Sequence, residues 1–570
     1  MKIYSNIVPE EKVREVQKET LNIIADALHK SFGPKGSSTA FVKNIDPKGV
    51  NVCVEHTKDG HTIVSNIQFI HPIERSVQDI LTDLTRYVVK EVGDGTTSAI
   101  ILCKAVFDQL CSADVIIENS PADTMSRINA VVKEVTDRII AKGRECTLDD
   151  IYNIALISTN NNEYMAGTLR ALYEKYGMDV FIDVGISTET DTIIKEYDGM
   201  TLDTGYTDIC FINNKQDNCS YIRNPRIYCF NDPIDTPEMT AMVETIIDTN
   251  IVRAYKPGSV YEPIPTVIFC KQISPDTASY FEKIVQLMNS VENIPLLIVS
   301  DIHQDYLYED IAKMAGAPFI KKYLNLEMQL ADQQAGLAPT AETICDFYGT
   351  ADLVQADDAK TKIIRPAKMF NEDGSYSDEY NAMLSYLKTQ IEKCKNEDAG
   401  VEATARAKRR YNCFKGNMVD LLIGGITLSD RNNLKAAVED AVLNCRSAAL
   451  NGVGYGANYM AYSVLTEMKN DASYSGDAVV GILYDAYYSL LTILYRKSYS
   501  ADEVHDIIAG CINNGCPLNI RTNEYDNKVL SSIRSDIVIL ETINKILSLM
   551  FITNQYLVQT PAYNVYIGDE

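Results

Sequence analysis

Apolar residues recur at helical spacing over residues 11–31, where Val13, Val16, Leu21, Ile24, Ala25 and Leu28 fall on one face. The segment is predicted to be an amphipathic helix. It stops at Phe32-Gly33-Pro34, because glycine and proline both end helices. Residues 39–70 read as strands joined by turns, and 75–92 and 97–112 as helices. Residues 124–143, with Ile128, Val131, Val132, Val135, Ile139 and Ile140, read as another amphipathic helix. From about 180 to 370 the texture changes. Short β-rich runs at 180–184, 192–194, 266–269 and 296–299 alternate with helical patterns at 237–248, 276–291 and 306–315. That alternation predicts an α/β block set into a helical chain. The acidic stretch 330–362 has few long apolar runs and reads as loop. Helical patterning returns from about 375 to 515 and from 533 to 553, and residues 563–570 read as a strand with an acidic end.

At 570 residues the chain is too long for one core and is expected to hold about three domains. Apolar content of 46% with 23% charged residues fits a folded globular chain. The net charge of −25 argues against nucleic acid or an anionic membrane as the main partner, since both repel an acidic surface. The opening Met1-Lys2-Ile3-Tyr4-Ser5 runs straight into charged sequence, so no signal peptide is expected. The run judged most apolar, 537–557, is interrupted by Glu541 and Lys545, so no membrane span is expected. The 14 cysteines form no C-x-x-C pair and read as reduced cytosolic thiols. Six dispersed histidines give no convincing zinc site.

Candidate chemistry lies in short acidic motifs far apart in sequence: Thr57-Lys58-Asp59-Gly60, Gly93-Asp94-Gly95-Thr96-Thr97-Ser98 and Val438-Glu439-Asp440-Ala441, with Phe32-Gly33-Pro34-Lys35-Gly36 upstream. A Gly-Asp-Gly turn lets backbone amides approach phosphates closely. Its carboxylate suits Mg²⁺, a hard cation that takes oxygen ligands. Hydroxyls at Thr96, Thr97 and Ser98 add donors, and a helix starting there would favour an anion at its N-terminus. No Walker A loop occurs in the chain. Taken singly, each motif is as well explained as a helix cap, a hairpin turn or a solvated helix face.

In that order and spacing the motifs resemble the ATP site of group I chaperonins, the GroEL family. The resemblance extends to 309–317, 438–456 and 548–553 and covers nearly the whole length, loosely over the central block. It implies a multidomain α+β chaperonin fold: a mostly helical discontinuous equatorial domain (1–140 and 451–570), a small intermediate hinge domain (141–197 and 419–450), and an α/β apical domain (198–418). It implies an ATP hydrolase using Mg²⁺ and K⁺. Asp94 would ligate the metal, and Gly93, Gly95, Thr96, Thr97 and Ser98 would hold phosphates. Asp59 would lie by the γ-phosphate, next to Gly60, and Asp440 would orient the attacking water. Gly33 and Pro34 would line the nucleotide, Ser31 and Lys58 would offer carbonyls to K⁺, and Ile157, Ser158, Gly456, Ile493 and Asn519 would lie nearby. The substrate surface would comprise Tyr206, Phe211, Met239, Met242, Val243, Tyr280, Phe281, Ile284 and Val285. Those stripes equally suit the packing of an apical core.

The implied function is an ATP-dependent ring, homo-oligomeric with seven subunits in one or two rings, that folds non-native client proteins with or without a GroES-like co-chaperonin. No nucleic acid or membrane partner is expected. The expected location is the cytoplasm, or the host cytoplasm if the chain is virus-encoded, a source suggested by its divergence. Arg521 stands where the family has a small residue, Gly454-Tyr455-Gly456-Ala457-Asn458 departs from its glycine run, and the acidic ribose contact has no clear counterpart beyond Ser531 or Asp536. Those departures keep open a ring that holds cargo with weak nucleotide binding, and Thr96-Thr97-Ser98 with His71-Pro72, which resemble group II chaperonins, keep open a subunit of that group.

Overall fold

The structure is a computed structural model that describes residues 5–8, 10–44, 52–112, 121–178, 180–187, 189–202, 204–214, 218–253, 262–289, 294–300, 305–320, 341–371, 373–396, 401–414, 417–553 and 555–559. The chain divides into two compact units. The first comprises residues 1–179, 184–192 and 423–570, and the second residues 180–183 and 193–422. The reading of 563–570 as a strand lies outside the described residues.

The first unit is built from helices whose apolar faces meet in one cluster. Glu10–His29 contributes Leu21, Ile24 and Leu28, and Pro121–Lys142 contributes Ile128, Val131, Val132, Val135 and Ile139. The periodicity marked those faces correctly. Each fully buried Ile or Leu contributes about 1.5–3 kcal/mol. At the centre lies Ala478–Arg496, with Val480, Leu483, Ala486, Tyr487, Leu490 and Leu491 buried. This helix, rather than 537–557, is long and apolar enough to cross a membrane, but about half of it is buried inside this unit. Ile533–Phe551 closes the same cluster. Small pairings tie the ends: Ser5–Val8 with Tyr556–Gln559, and Val453–Tyr455 with Leu530–Ser532.

The second unit is an α/β layer structure. Arg226–Phe230, Thr266–Cys270 and Leu296–Val299 form a parallel sheet, joined through Pro237–Ile247 and Pro275–Asn289. Thr266–Cys270 is buried at every position, as expected for a parallel strand covered on both faces. The stretch read as loop contains a strand, Gly349–Ala356, whose antiparallel hairpin partner Thr361–Pro366 begins at that stretch's end, and Asn417–Ile423 pairs with Ile193–Leu202 inside a region read as helical. The motif at 309–317 has a structural use: the buried carboxylate of Asp310 takes a two-pronged contact from Arg410 at 2.8 and 2.9 Å.

Candidate functional site

The Gly93-Asp94-Gly95 turn joins two long helices of the first unit. Pro72–Val92 ends on Gly93, whose φ of +75° is left-handed and whose N–H donates to Val89 at 2.9 Å. Gly95, at φ +96°, precedes Thr96–Ser112, and its carbonyl accepts the first helical bond from Ala99. Neither glycine has room for a side chain. A Cβ on Gly93 would lie 2.4 Å from Leu443, and one on Gly95 2.8 Å from Ile539. The turn is thus pressed between the Leu428–Asn451 helix, which carries Leu443, and the Ile533–Phe551 helix.

Asp59 is not in a hairpin turn. It caps the short helix Gly60–Asn66, accepting from the N–H groups of His61 (3.3 Å) and Thr62 (2.7 Å) and from the Thr62 hydroxyl (2.6 Å). The helix start then packs on the other motif: a Cβ on Gly60 would fall 2.6 Å from Thr97 Oγ1 and 2.8 Å from Thr96 Oγ1. Two helix N-termini, with their exposed N–H groups, therefore meet at Gly60 and Thr96–Thr97.

Asp440 comes to the same place from Leu428–Asn451. Val438 and Ala441 of its motif are buried. Glu439 turns to Lys435 at 2.8 Å, while Asp440 faces Asp94 and Asp59. Burial, then the charges of Asp94, Asp59 and Glu439, push the Asp440 carboxyl well above the usual carboxylate range. Burial also raises Asp94, the Gly95 N–H at 2.6 Å offsets this, and Asp59 raises it further. Asp94 reaches solvent although enough protein surrounds it to raise its carboxyl. Carboxylates that raise one another in this way favour positive charge beside them. Among the described residues no three metal-ligating side chains converge tightly enough to hold an ion by themselves. A divalent ion here would have to take oxygens from a bound substrate and water, as Mg²⁺ commonly does.

The neighbouring candidates are placed less uniformly. Gly33 is left-handed at φ +77° with Leu494 pressed against it, Pro34 is exposed, and Ser31 is buried. Ser158 accepts from Asn444 at 3.5 Å, and Ile157 is exposed. Gly456 donates to Val529, and Asn458, at φ +59°, reaches Ser98 Oγ at 3.1 Å. The bond ties the turn after Leu428–Asn451 to the Gly93–Ser98 motif. Only a long-range pairing reveals it. Asn519 is committed to the Arg521 N–H and to Asp526, both at 3.1 Å, and Arg521 to the Asn160 carbonyl and side chain. Ile493 packs against the helical core and is only partly accessible. Asp536 is buried, which pushes its carboxyl up to about 7, so it suits a core position better than a ribose contact. The turn at Ser31 is already served by a cation. Lys497 Nζ donates to the carbonyls of Lys30 (3.1 Å) and Phe32, which does not suit a K⁺ ion there.

Most of the expected substrate surface is interior. Phe211, Met239, Met242, Val243, Phe281 and Val285 are buried in the core of the second unit. Helical spacing identified a buried face correctly but not what covers it. Tyr206 and Ile284 are partly buried against that core, and Tyr280 is 44% exposed.

The model of the TCP-1/cpn60 chaperonin family matches residues 24–498. The chain is 26% identical over 489 residues to the proteins named chaperonin GroEL of Anaplasma marginale strains Florida and St. Maries, covering 84% of this chain and 80% of theirs. Two crystal forms of the chaperonin gp146 from bacteriophage EL 2 (Pseudomonas aeruginosa), both in the presence of ATP-BeFx, superpose with TM-scores of 0.73 and 0.63. Each covers 97% of this chain and 99% of that one at 16% identity, a likeness of fold alone.

Proposed function

The chain belongs to the TCP-1/cpn60 chaperonin family, and from that premise we propose that it is an ATP hydrolase that assembles into a ring of like subunits and assists the folding of non-native proteins. The observation that carries this reading is the convergence of Asp59, Asp94 and Asp440 on the meeting point of two helix N-termini. The N–H groups and hydroxyls of Thr96, Thr97 and Ser98 bind and orient the phosphates. Asp94 is the side chain that would hold Mg²⁺. That ion supplies neutralisation of phosphate charge and polarisation of the transferred group. Asp440 orients the attacking water and takes up its proton, and Asp59 fixes the helix start beside it. The raised Asp440 carboxyl suits a base whose charge appears only once compensating positive charge arrives.

In this reading the first unit combines equatorial and intermediate domains, and the second is the apical domain that meets clients. Seven-fold symmetry, a GroES-like lid and a cytoplasmic or host-cytoplasmic setting belong to the same proposal. A second reading, a ring that holds cargo with little turnover, is favoured by one observation: Asn519 and Arg521 on the nucleoside side are bonded to the protein itself. Purified protein separates the two. ATP hydrolysis with ATP-dependent refolding of a denatured protein, together with a seven-fold ring in electron micrographs, supports the first. A stable ring that binds clients without hydrolysis overturns it in favour of the second.

A further inference from the structure

We propose that Lys497 is a built-in monovalent cation for this site: its ammonium occupies the carbonyl cluster at the Lys30–Phe32 turn, so that nucleotide binding and hydrolysis need no potassium. The inference rests on the nucleotide-site reading above.

The turn concentrates carbonyl oxygens. Lys30 O accepts from Ser37 N (2.9 Å) and Ser37 Oγ (3.2 Å), and Gly36 N donates back to Gly33 O at 2.9 Å. Gly36 lies so close that a Cβ would be 1.9 Å from Ser31 O. The carbonyls of Lys30 and Phe32 lie close enough to share one ammonium, and carbonyl oxygens are cation partners by their chemistry. Lys497 follows directly on the Ala478–Arg496 helix. A lysine there could cap its own helix end, but its side chain leaves that helix and donates to Lys30 and Phe32, on either side of Ser31. Ammonium and K⁺ carry the same charge and both take oxygen partners. The lysine differs in being covalently attached, so its local concentration does not depend on the medium.

The charges around it agree. Burial lowers the Lys497 pKa, and Lys58 lowers it further, which places Lys497 within electrostatic reach of Lys58. No carboxylate lies within ion-pair distance of Lys497 among the described residues, so its hydrogen-bonding partners are main-chain oxygens. A further monovalent ion beside Ser31 and Lys58 would face two ammonium groups. Like charges so close disfavour the binding of that ion.

The test uses the full-length protein in potassium chloride, sodium chloride and a bulky organic-ammonium chloride at equal ionic strength. Affinity for a fluorescent ATP analogue and turnover are both measured. The expected result is an affinity and a turnover that agree within about twofold across the three salts. Lys497→Met should lose about tenfold in affinity in the organic-ammonium salt and regain it in potassium. Lys497→Arg should behave as the parent. Wild-type protein that binds the analogue well only in potassium overturns the inference while leaving the nucleotide site intact. So does a folded Lys497→Met protein that binds equally in every salt. Failure of the wild type to bind in any salt overturns the nucleotide reading and this inference together.

Discussion

At the scale of single residues, the site is a set of carboxylates kept in an unfavourable state. Burial and mutual repulsion raise Asp94 and Asp440. A carboxyl whose folded pKa is raised adds stability below its unfolded pKa and loses it as pH rises through the folded value. The unliganded site is therefore least comfortable at neutral pH, where nucleotide and metal would relieve it. Asp440→Ala should lower ATP turnover by about two orders of magnitude or more and leave nucleotide affinity largely unchanged. Near-parental turnover in that variant would remove Asp440 from the chemistry. Asp536 offers a separate test of the sign. Its carboxyl is pushed from 3.8 to about 7 by burial alone, so its contribution falls between about pH 4 and pH 7. Asp536→Asn should raise the thermal midpoint at pH 8 and change it little at pH 4, with up to about 4 kcal/mol at stake from a shift of about 3 units. An equal change at both pH values would show that the effect is packing.

At the scale of elements, Gly60–Asn66 approaches Thr96–Ser112 closely at the proposed site, and glycine permits it. Gly60→Ala would drive a methyl into the hydroxyls of Thr96 and Thr97. The expected outcome is nucleotide binding weakened about tenfold or more with the circular dichroism spectrum kept, since a tenfold change needs only about 1.4 kcal/mol. Unchanged affinity would mean that the two helix starts do not share a ligand. The second unit supports a contrast between two aromatics. Phe211 is buried and Tyr280 exposed. Phe211→Ala should destabilise the unit by about 3–5 kcal/mol. Tyr280→Ser should leave stability nearly unchanged and weaken capture of an unfolded protein. Capture that survives in the Tyr280 variant would place client binding elsewhere. The long helices and the parallel strands were legible because periods of 3.6 residues and unbroken apolar runs are local signals. The hairpin Gly349–Ala356/Thr361–Pro366 was not, because its partners decide its burial and its residues include Asp352, Gln355 and Lys362. The helix starting at Gly60 was hidden for a similar reason: Asp59-Gly60 signals a turn equally well until the cap is seen. The motifs of the candidate site were readable, whereas Leu443, Asn458 and Lys497 become neighbours only through packing.

At the scale of the whole molecule, one chain makes two compact units by leaving the first and coming back to it. Register explains how the insertion is tolerated. Ile193 and Leu422, the first and last residues of the second unit's main segment, are direct antiparallel partners, and the pairing continues to Asp198 and Asn417. The main segment therefore enters and leaves the unit at one point. The apolar cluster of that unit, from Met200 to Phe414, draws on no residue of the other. A segment with its own core and adjacent ends meets the usual conditions for autonomous folding. Residues 193–422 expressed alone should give a monomer with a cooperative urea transition. The complementary protein, with 193–422 replaced by a short Gly-Ser linker, should keep nucleotide affinity, because Asp59, Asp94, Asp440 and the Gly60–Thr96 contact all lie in the first unit. It should lose capture of unfolded protein. A non-cooperative fragment would show that the second unit needs its surroundings to fold. Nucleotide binding lost from the linker protein would mean that the site draws on the segment removed, and the assignment of ATP chemistry to the first unit alone would fall.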